Sequence, residues 1–467
     1  MSSSSSPSQP AASPARGNLP LTGADCFLRA FDHEVRRMNG ASHASQLVLR
    51  LGPGFDKEAF QHQLRAAVAA NPILHAPIRR RAGLGPPAYR TAAARPETAP
   101  QLHVHASGSR REQLPETLQN QMNQPFSGRR GQLLRFDLFP YDEGRGGYDL
   151  AMTWLHLLFD GTGSEVFLRW LQACHRGTGR PDELPPDDAS VAPGMPPALR
   201  AGERGQRAKA WQQMMAEVAK PPARSLAGPL RRTPQALRYS VTQLGGEEFL
   251  AVTQRAKEKA GFLTPMLYYL AAALRAHHAV FRARGIDPQS YVVPLPVNMR
   301  PKGSTRAIFR TRVSLLWFRV LPEQLGDFDG LVAELKQQRR QAIQAGHVEN
   351  GIIAMDYARS APMRVYTHMA RRSMHGELCS FFFAWTGEFA AGLSDFFGAA
   401  VQDGFHAPAV PPSPGSVLAL SSFRGHLNAT HVHQRGVFDE REQGLLREQL
   451  LHDLLGRELD EVADGAA

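Results

Sequence analysis

Apolar residues recur along this chain with two spacings. Short runs alternate with period two and longer ones repeat every three to four positions, which are the signatures of strands and of amphipathic helices. Residues 46–51 read as a strand, and Asp56 then caps a helix with Phe60, Leu64, Ala67 and Val68 on one face, ending before Pro72. Residues 133–139 and 148–158 read as two strands joined by Asp142-Glu143-Gly144, followed by a helix capped by Ser164 and carrying Phe167, Leu168 and Leu171. Later, a strand is expected at 237–243. Thr264 and Pro265 open a helix through Met266, Leu270 and Leu274. Strands are expected at 291–298 and 313–321, and a helix at 328–343. Residues 417–421 and 427–433 form a hairpin around Arg424-Gly425, and Asp439 with Glu442 is the capping box of a last helix through Leu454. Both halves mix strands and helices, so the expected class is α/β or α+β in two lobes.

The pattern breaks between residues 177 and 234, where ten prolines surround one helical stretch near Trp211. This predicts a Pro-rich crossover at 181–234, an N-terminal lobe at 18–180 and a C-terminal lobe at 235–460. Residues 1–17 are Ser-, Pro- and Ala-rich without an apolar run and read as a disordered tail, not a secretory signal.

Among 467 residues, 42% are hydrophobic and 21% charged, an ordinary globular balance. No run approaches the ~18 apolar residues of a membrane span. Cys26, Cys174 and Cys379 are too few and too scattered for a disulfide framework or a cysteine zinc site, and they fit a reducing cytoplasm. A net charge of +11 favours anionic partners: a phosphorylated co-substrate, an acidic carrier or, at most peripherally, a membrane surface. The arginines come in scattered pairs and triplets, not in the basic stripe with interleaved aromatics that nucleic acid wants.

The strongest chemical signal is His156-Leu-Leu-Phe-Asp160-Gly161. Period two puts His156 on the face of Tyr148, Leu150, Met152 and Trp154, at the end of a core-facing row. Half-desolvated imidazole stays neutral near pH 7 and can act as a base toward a hydroxyl or amine. Gly161 allows a tight turn, and Asp160, if buried, needs a cationic partner. A core histidine beside a turn aspartate would give the same spacing. His103 with His105, and His431 with His433, could each form a metal pair, but no third ligand stands near either, so no metal is expected. The dense aromatics Phe381, Phe382, Phe383, Trp385, Phe389, Phe396 and Phe397 read as a buried strand and loop, or as the lining of an acyl channel. There is no Gly-x-Ser-x-Gly elbow, phosphate loop or dinucleotide fingerprint.

His-x-x-x-Asp-Gly in the first half resembles the chloramphenicol acetyltransferase-like superfamily, which includes condensation domains and wax ester synthase-like acyltransferases. Other segments are similar in the family's order. Leu21-Thr-Gly-Ala-Asp25-Cys-Phe-Leu-Arg29 looks like its opening helix, and Asn71-Pro-Ile-Leu-His75 like the segment after the first helix. Val293 to Pro301 resembles the second-lobe strand whose arginine, Arg300 here, pairs with the motif aspartate. Phe423-Arg-Gly-His-Leu-Asn-Ala-Thr resembles the C-terminal hairpin. The resemblance implies two similar lobes with a central tunnel, His156 as general base, Asp160 bonded to Arg300, and Gly161 as the turn. It implies an acyltransferase without a resident cofactor, and since no adenylation or carrier domain is seen fused to it, a free-standing one is expected. Acyl-CoA or an acyl-phosphopantetheine carrier would be the co-substrate, and an alcohol or amine the acceptor. Leu155 stands where many relatives carry a second histidine. Ala384-Trp385-Thr386-Gly387 stands where Ser-Asn often precedes a glycine, which makes Trp385 and Thr386 candidate substrate contacts. The competing readings are a catalytically silent scaffold that docks a carrier or partner enzyme, and a basic nucleic-acid or membrane-surface binder.

Overall fold

The computed structural model describes residues 17–80, 85–108, 116–182, 199–228, 236–300, 308–373, 377–411 and 413–457. The tail other than Gly17, seven of the ten crossover prolines (Pro185, Pro186, Pro193, Pro196, Pro197, Pro229 and Pro234), and Pro301 with the segment after it lie outside the described residues.

The first half contains β1 (Asn18–Pro20), α1 (Gly23–Asn39), β2 (Ala44–Leu51), α2 (Lys57–Ala70), β3 (Ile78–Arg79), β4 (Ala88–Arg90), β5 (Leu102–Val104), α3 (Glu116–Asn123), β6 (Leu134–Pro140), β7 (Tyr148–Leu155) and α4 (Gly161–His175). The second half contains α5 (Ala201–Val218), β8 (Leu237–Gly245), α6 (Gly246–Ala260), α7 (Pro265–Ala283), β9 (Tyr291–Asn298), β10 (Val313–Val320), α8 (Phe328–Gln344), α9 (His347–Ala358), α10 (Met363–Ser373), β11 (Phe382–Glu388), β12 (Asp395–Phe396), β13 (Ala399–Ala407), β14 (Ser416–Phe423), β15 (His426–Gln434) and α11 (Glu440–Leu455).

Local chemistry sets the ends of several elements. Thr22 and Asp25 bond each other's backbone in a capping box that opens α1. The Asp56 carboxylate accepts the Ala59 N–H at the start of α2. Asp439 and Glu442 do the same reciprocally for α11.

A six-stranded sheet, ordered β12-β13-β2-β7-β6-β5, forms the first lobe, with α2 and α4 packed on it through Phe60, Leu64, Phe167 and Leu171. The second lobe has a four-stranded sheet, β11-β14-β15-β8, and the antiparallel pair β9–β10. Ser380 N–H donates to the Val292 carbonyl, which ties the approach to β11 onto β9. Helix α7 is buried almost throughout between these strands and α6, α8 and α11.

The sheets do not divide where composition suggests. β13, from the second half, pairs antiparallel with β2 and completes the first-lobe sheet. Asn428 on β15 donates to the Asp403 carboxylate and the Gly404 carbonyl, so this crossing strand is bonded to both lobes. A further apolar cluster, including Val48, Ala151, Tyr239, Phe405 and Val432, fills the seam. β7 and β13 therefore lie on either side of β2, and both end beside the space between the lobes.

Candidate active site

β7 stops at Leu155. The strand expected to run to Leu158 stops three residues earlier: the Leu158 N–H turns back to the Leu155 carbonyl, and His156 is the first residue of that turn. The Phe159 carbonyl accepts from Trp154 Nε1 at 2.9 Å and from His156 Nδ1 at 3.3 Å. An oxygen that only accepts places the ring proton on Nδ1 and leaves the Nε2 lone pair without a partner among the described residues. The His156 backbone N–H donates to the His43 carbonyl, and the two imidazoles stack with centroids 5.7 Å apart.

Ser164 is not the cap of the next helix. Asp160 is, through an oxygen that accepts the Gly163 N–H at 2.8 Å. The other carboxylate oxygen accepts from Arg300 Nη1 and from the Arg312 backbone N–H, each at 2.9 Å. Asp160 and Arg300 are both buried, and no bond joins the carboxylate to His156. Gly161 is not a tight turn: it is the first residue of α4, without positive φ, and an added Cβ would find nothing nearer than His406 Cε1 at 3.9 Å. The glycine that packing requires is Gly163, where a Cβ would lie 2.3 Å from the Ile308 carbonyl oxygen.

These residues border a cavity of about 270 Å³ between the lobes. His43, Trp154, His156, Thr162 and His406 line one side. Asn298, Thr311, Phe382, Trp385 and Thr386 line the other. Trp385 and Thr386, on β11, thus face the same space as His156. Phe381, Phe383, Phe389, Phe396 and Phe397 are fully buried core residues, and of that aromatic group only Phe382, Phe383 and Trp385 touch the cavity.

Burial is the main influence on the His156 ring and lowers its proton affinity. Asp160 and the Phe159 carbonyl oppose that and His406 adds to it, with a net lowering. Burial pushes the Asp160 carboxyl up, but Arg300 and the Gly163 and Arg312 N–H groups outweigh it and hold the carboxyl below its ordinary value. His43 is driven well down by burial and then by the neighbouring His156. The site therefore holds two neutral imidazoles, His43 and His156, beside an ionised, fully engaged carboxylate.

His43, Glu165 and His406 carry no sequence signal. They lie 113, 9 and 250 positions from His156, outside any motif, and reach the site through strand pairing and helix packing. The paired histidines elsewhere stay apart from the site. His105 bonds Asp137, and His431 bonds Ser416. Among the described residues no three metal-ligating side chains gather. All three cysteines are buried, and burial raises Cys26 to about 12.

In fold, this mixed α/β chain in two lobes is similar to solved condensation domains, to an epimerization domain and to an acetyltransferase. The first condensation domain of the calcium-dependent antibiotic synthetase, with a substrate analogue, matches at TM-score 0.67 and 19% identity over 94% of this chain and 95% of that one. The starter condensation domain of rhizomide synthetase, a variant in complex with C8-CoA, matches at TM-score 0.64 and 16% identity over 94% of each. Trichothecene 15-O-acetyltransferase from Fusarium sporotrichioides matches at TM-score 0.62 and 12% identity over 93% and 95%. No family model and no curated protein matches the sequence.

Proposed function

We propose that this protein is an acyltransferase that moves an acyl group from a thioester, of coenzyme A or of a carrier protein's phosphopantetheine, to a hydroxyl or amine acceptor. The observation that carries this reading is the His156 ring: it borders the inter-lobe cavity with Nδ1 committed to the Phe159 carbonyl and Nε2 without a partner among the described residues. In the reaction, the acceptor's proton passes to Nε2 as its oxygen or nitrogen attacks the thioester carbonyl. The tetrahedral adduct collapses, the C–S bond breaks, and the imidazolium returns the proton to the departing thiolate. Asp160 favours the transient imidazolium by its charge, while Arg300 and Arg312 keep that carboxylate from taking the proton. Trp385 and Thr386 bound the substrate across the cavity. The thioester is a co-substrate, not a resident group. The C8-CoA complex of one structural neighbour and the acetyltransferase activity named for another support this donor class. Three buried free thiols support a reducing, cytoplasmic setting, and no described helix is long and apolar enough to cross a membrane.

Intact-mass screening of acyl-CoAs and acyl carriers against alcohols and amines tests the activity. His156→Ala is expected to stay folded and lose roughly 10²- to 10⁴-fold in turnover. Transfer within a few-fold of the parent would remove His156 from the role of base. A folded protein that binds a carrier but transfers nothing would instead be a silent docking scaffold.

A further inference from the structure

A second imidazole on the cavity wall is not used by the transfer step. His406 Nε2, on β13, lies 3.0 Å from a carboxylate oxygen of Glu165, on α4. Both side chains are more than nine-tenths buried. The other Glu165 oxygen accepts the Ala390 N–H at 2.8 Å and lies 3.8 Å from Arg169. Phe389 and Trp154 meet the His406 ring edge-on. An ionised carboxylate only accepts hydrogen bonds, so Nε2 carries a proton, and a ring with that single proton has its lone pair at Nδ1. No described group bonds that nitrogen. Joining β13 to α4 would need no such arrangement, since an apolar pair of similar volume packs at no desolvation cost. What the polar pair adds is an acceptor nitrogen of fixed tautomer beside the cavity. His156 Nε2 is another. The two rings flank the first turn of α4, where His406 Cε1 is 3.9 Å from the Cβ position of Gly161.

We propose that the Glu165–His406 pair binds a second hydrogen-bond donor on the acceptor, so that the acceptor class is a diol or amino alcohol and not a simple alkanol. This deepens the reading of the cavity as an acyl-transfer site and rests on it. While His156 takes the proton of the reacting group, His406 Nδ1 accepts from its neighbour, and the carbon skeleton lies against Phe382 and Trp385.

The test uses the full chain with ¹⁵N-labelled histidine at pH 8, titrated with 1,2-octanediol or 1-octanol, and steady-state transfer from octanoyl-CoA to each. The diol is expected to shift the His406 Nδ1 resonance and the alkanol to leave it unmoved. The ratio of kcat/KM for diol over alkanol should be roughly ten in the parent and about one in His406→Phe. Equal responses to the two probes, no response to the diol, or an unchanged ratio in His406→Phe would each overturn the proposal. Transfer to both probes at one rate would do so while leaving the acyltransferase reading intact. A diol-specific shift without any transfer would keep the binding site and remove the activity. Should His406→Phe not fold, the resonance of the parent decides.

Discussion

Asp160 joins three backbone or side-chain donors from three segments of the chain and spends both oxygens doing so. Its exchange with Arg300 is between two side chains almost wholly out of water, so either one left alone becomes an uncompensated buried charge. Asp160→Asn and Arg300→Met should each cost about 3–5 kcal/mol in urea unfolding, and the double variant less than their sum. Strict additivity would mean the pair does not act as a unit. The lowered proton affinity of His156 sets a second expectation. The base must be neutral to work, so the acid limb of kcat/KM should fall below the ordinary histidine value of 6.5. Asp160→Asn removes a charge that favours the imidazolium, and should move that limb further down. A limb above 6.5 would show a proton-binding environment that this packing does not provide.

At the scale of elements, the turn between β7 and α4 places every group of the motif. The strand gives way to a turn in which the Leu158 N–H bonds the Leu155 carbonyl, and Trp154 and His156 both direct a ring N–H to the Phe159 carbonyl, fastening residues 156–159 against the strand end. Helix α4 then starts at the Asp160 cap, and its first turn is pressed against the segment at Ile308. Two glycines of that turn should respond differently. Gly163→Ala forces a contact of 2.3 Å with backbone and should destabilise by about 1–3 kcal/mol or more. Gly161→Ala meets only ordinary contact and should leave the melting temperature within a degree or two of the parent. Thermal melts of the two variants decide it, and equal losses would contradict the packing described.

Across the whole molecule, β13 makes the two lobes one structure: it belongs by sequence to the second and by hydrogen bonding to the first. Buried neutral histidines add a pH dependence to that structure. His277, wholly buried on α7 and stacked on Phe381, is pushed down to about 4 by burial. Between an unfolded value near 6.5 and that value, the unfolded chain binds the proton and the folded chain does not, so stability falls as pH drops through this window. His277 alone should account for about 3 kcal/mol between pH 7 and pH 4, and burial of His43 and His431 acts in the same direction. Urea midpoints measured from pH 8 to pH 4 should decline, more shallowly in His277→Asn. A flat profile would show these rings protonated in the folded state or open to water.

Periodicity and capping residues determined most elements by themselves, because a strand or a helix start depends on neighbours a few residues away. Phe60 and Leu64 on α2, Asp56 and Asp439 as caps, and the β14–β15 hairpin all follow from that. The Asp160–Arg300 partnership was legible only through resemblance, since the partners are 140 residues apart. Tertiary structure alone decided the rest. It ended β7 at Leu155, where the Leu158 N–H turns back to the Leu155 carbonyl and the Phe159 carbonyl takes the ring N–H groups of Trp154 and His156. It carried β13 into the other lobe, because open edges of β2 and an apolar seam reward that pairing whatever the chain order. It brought His43, just before β2, and His406, on β13, to His156 from segments whose local sequence holds no trace of the cavity, since the wall of a space between lobes is made of residues whose only common property is where the fold puts them.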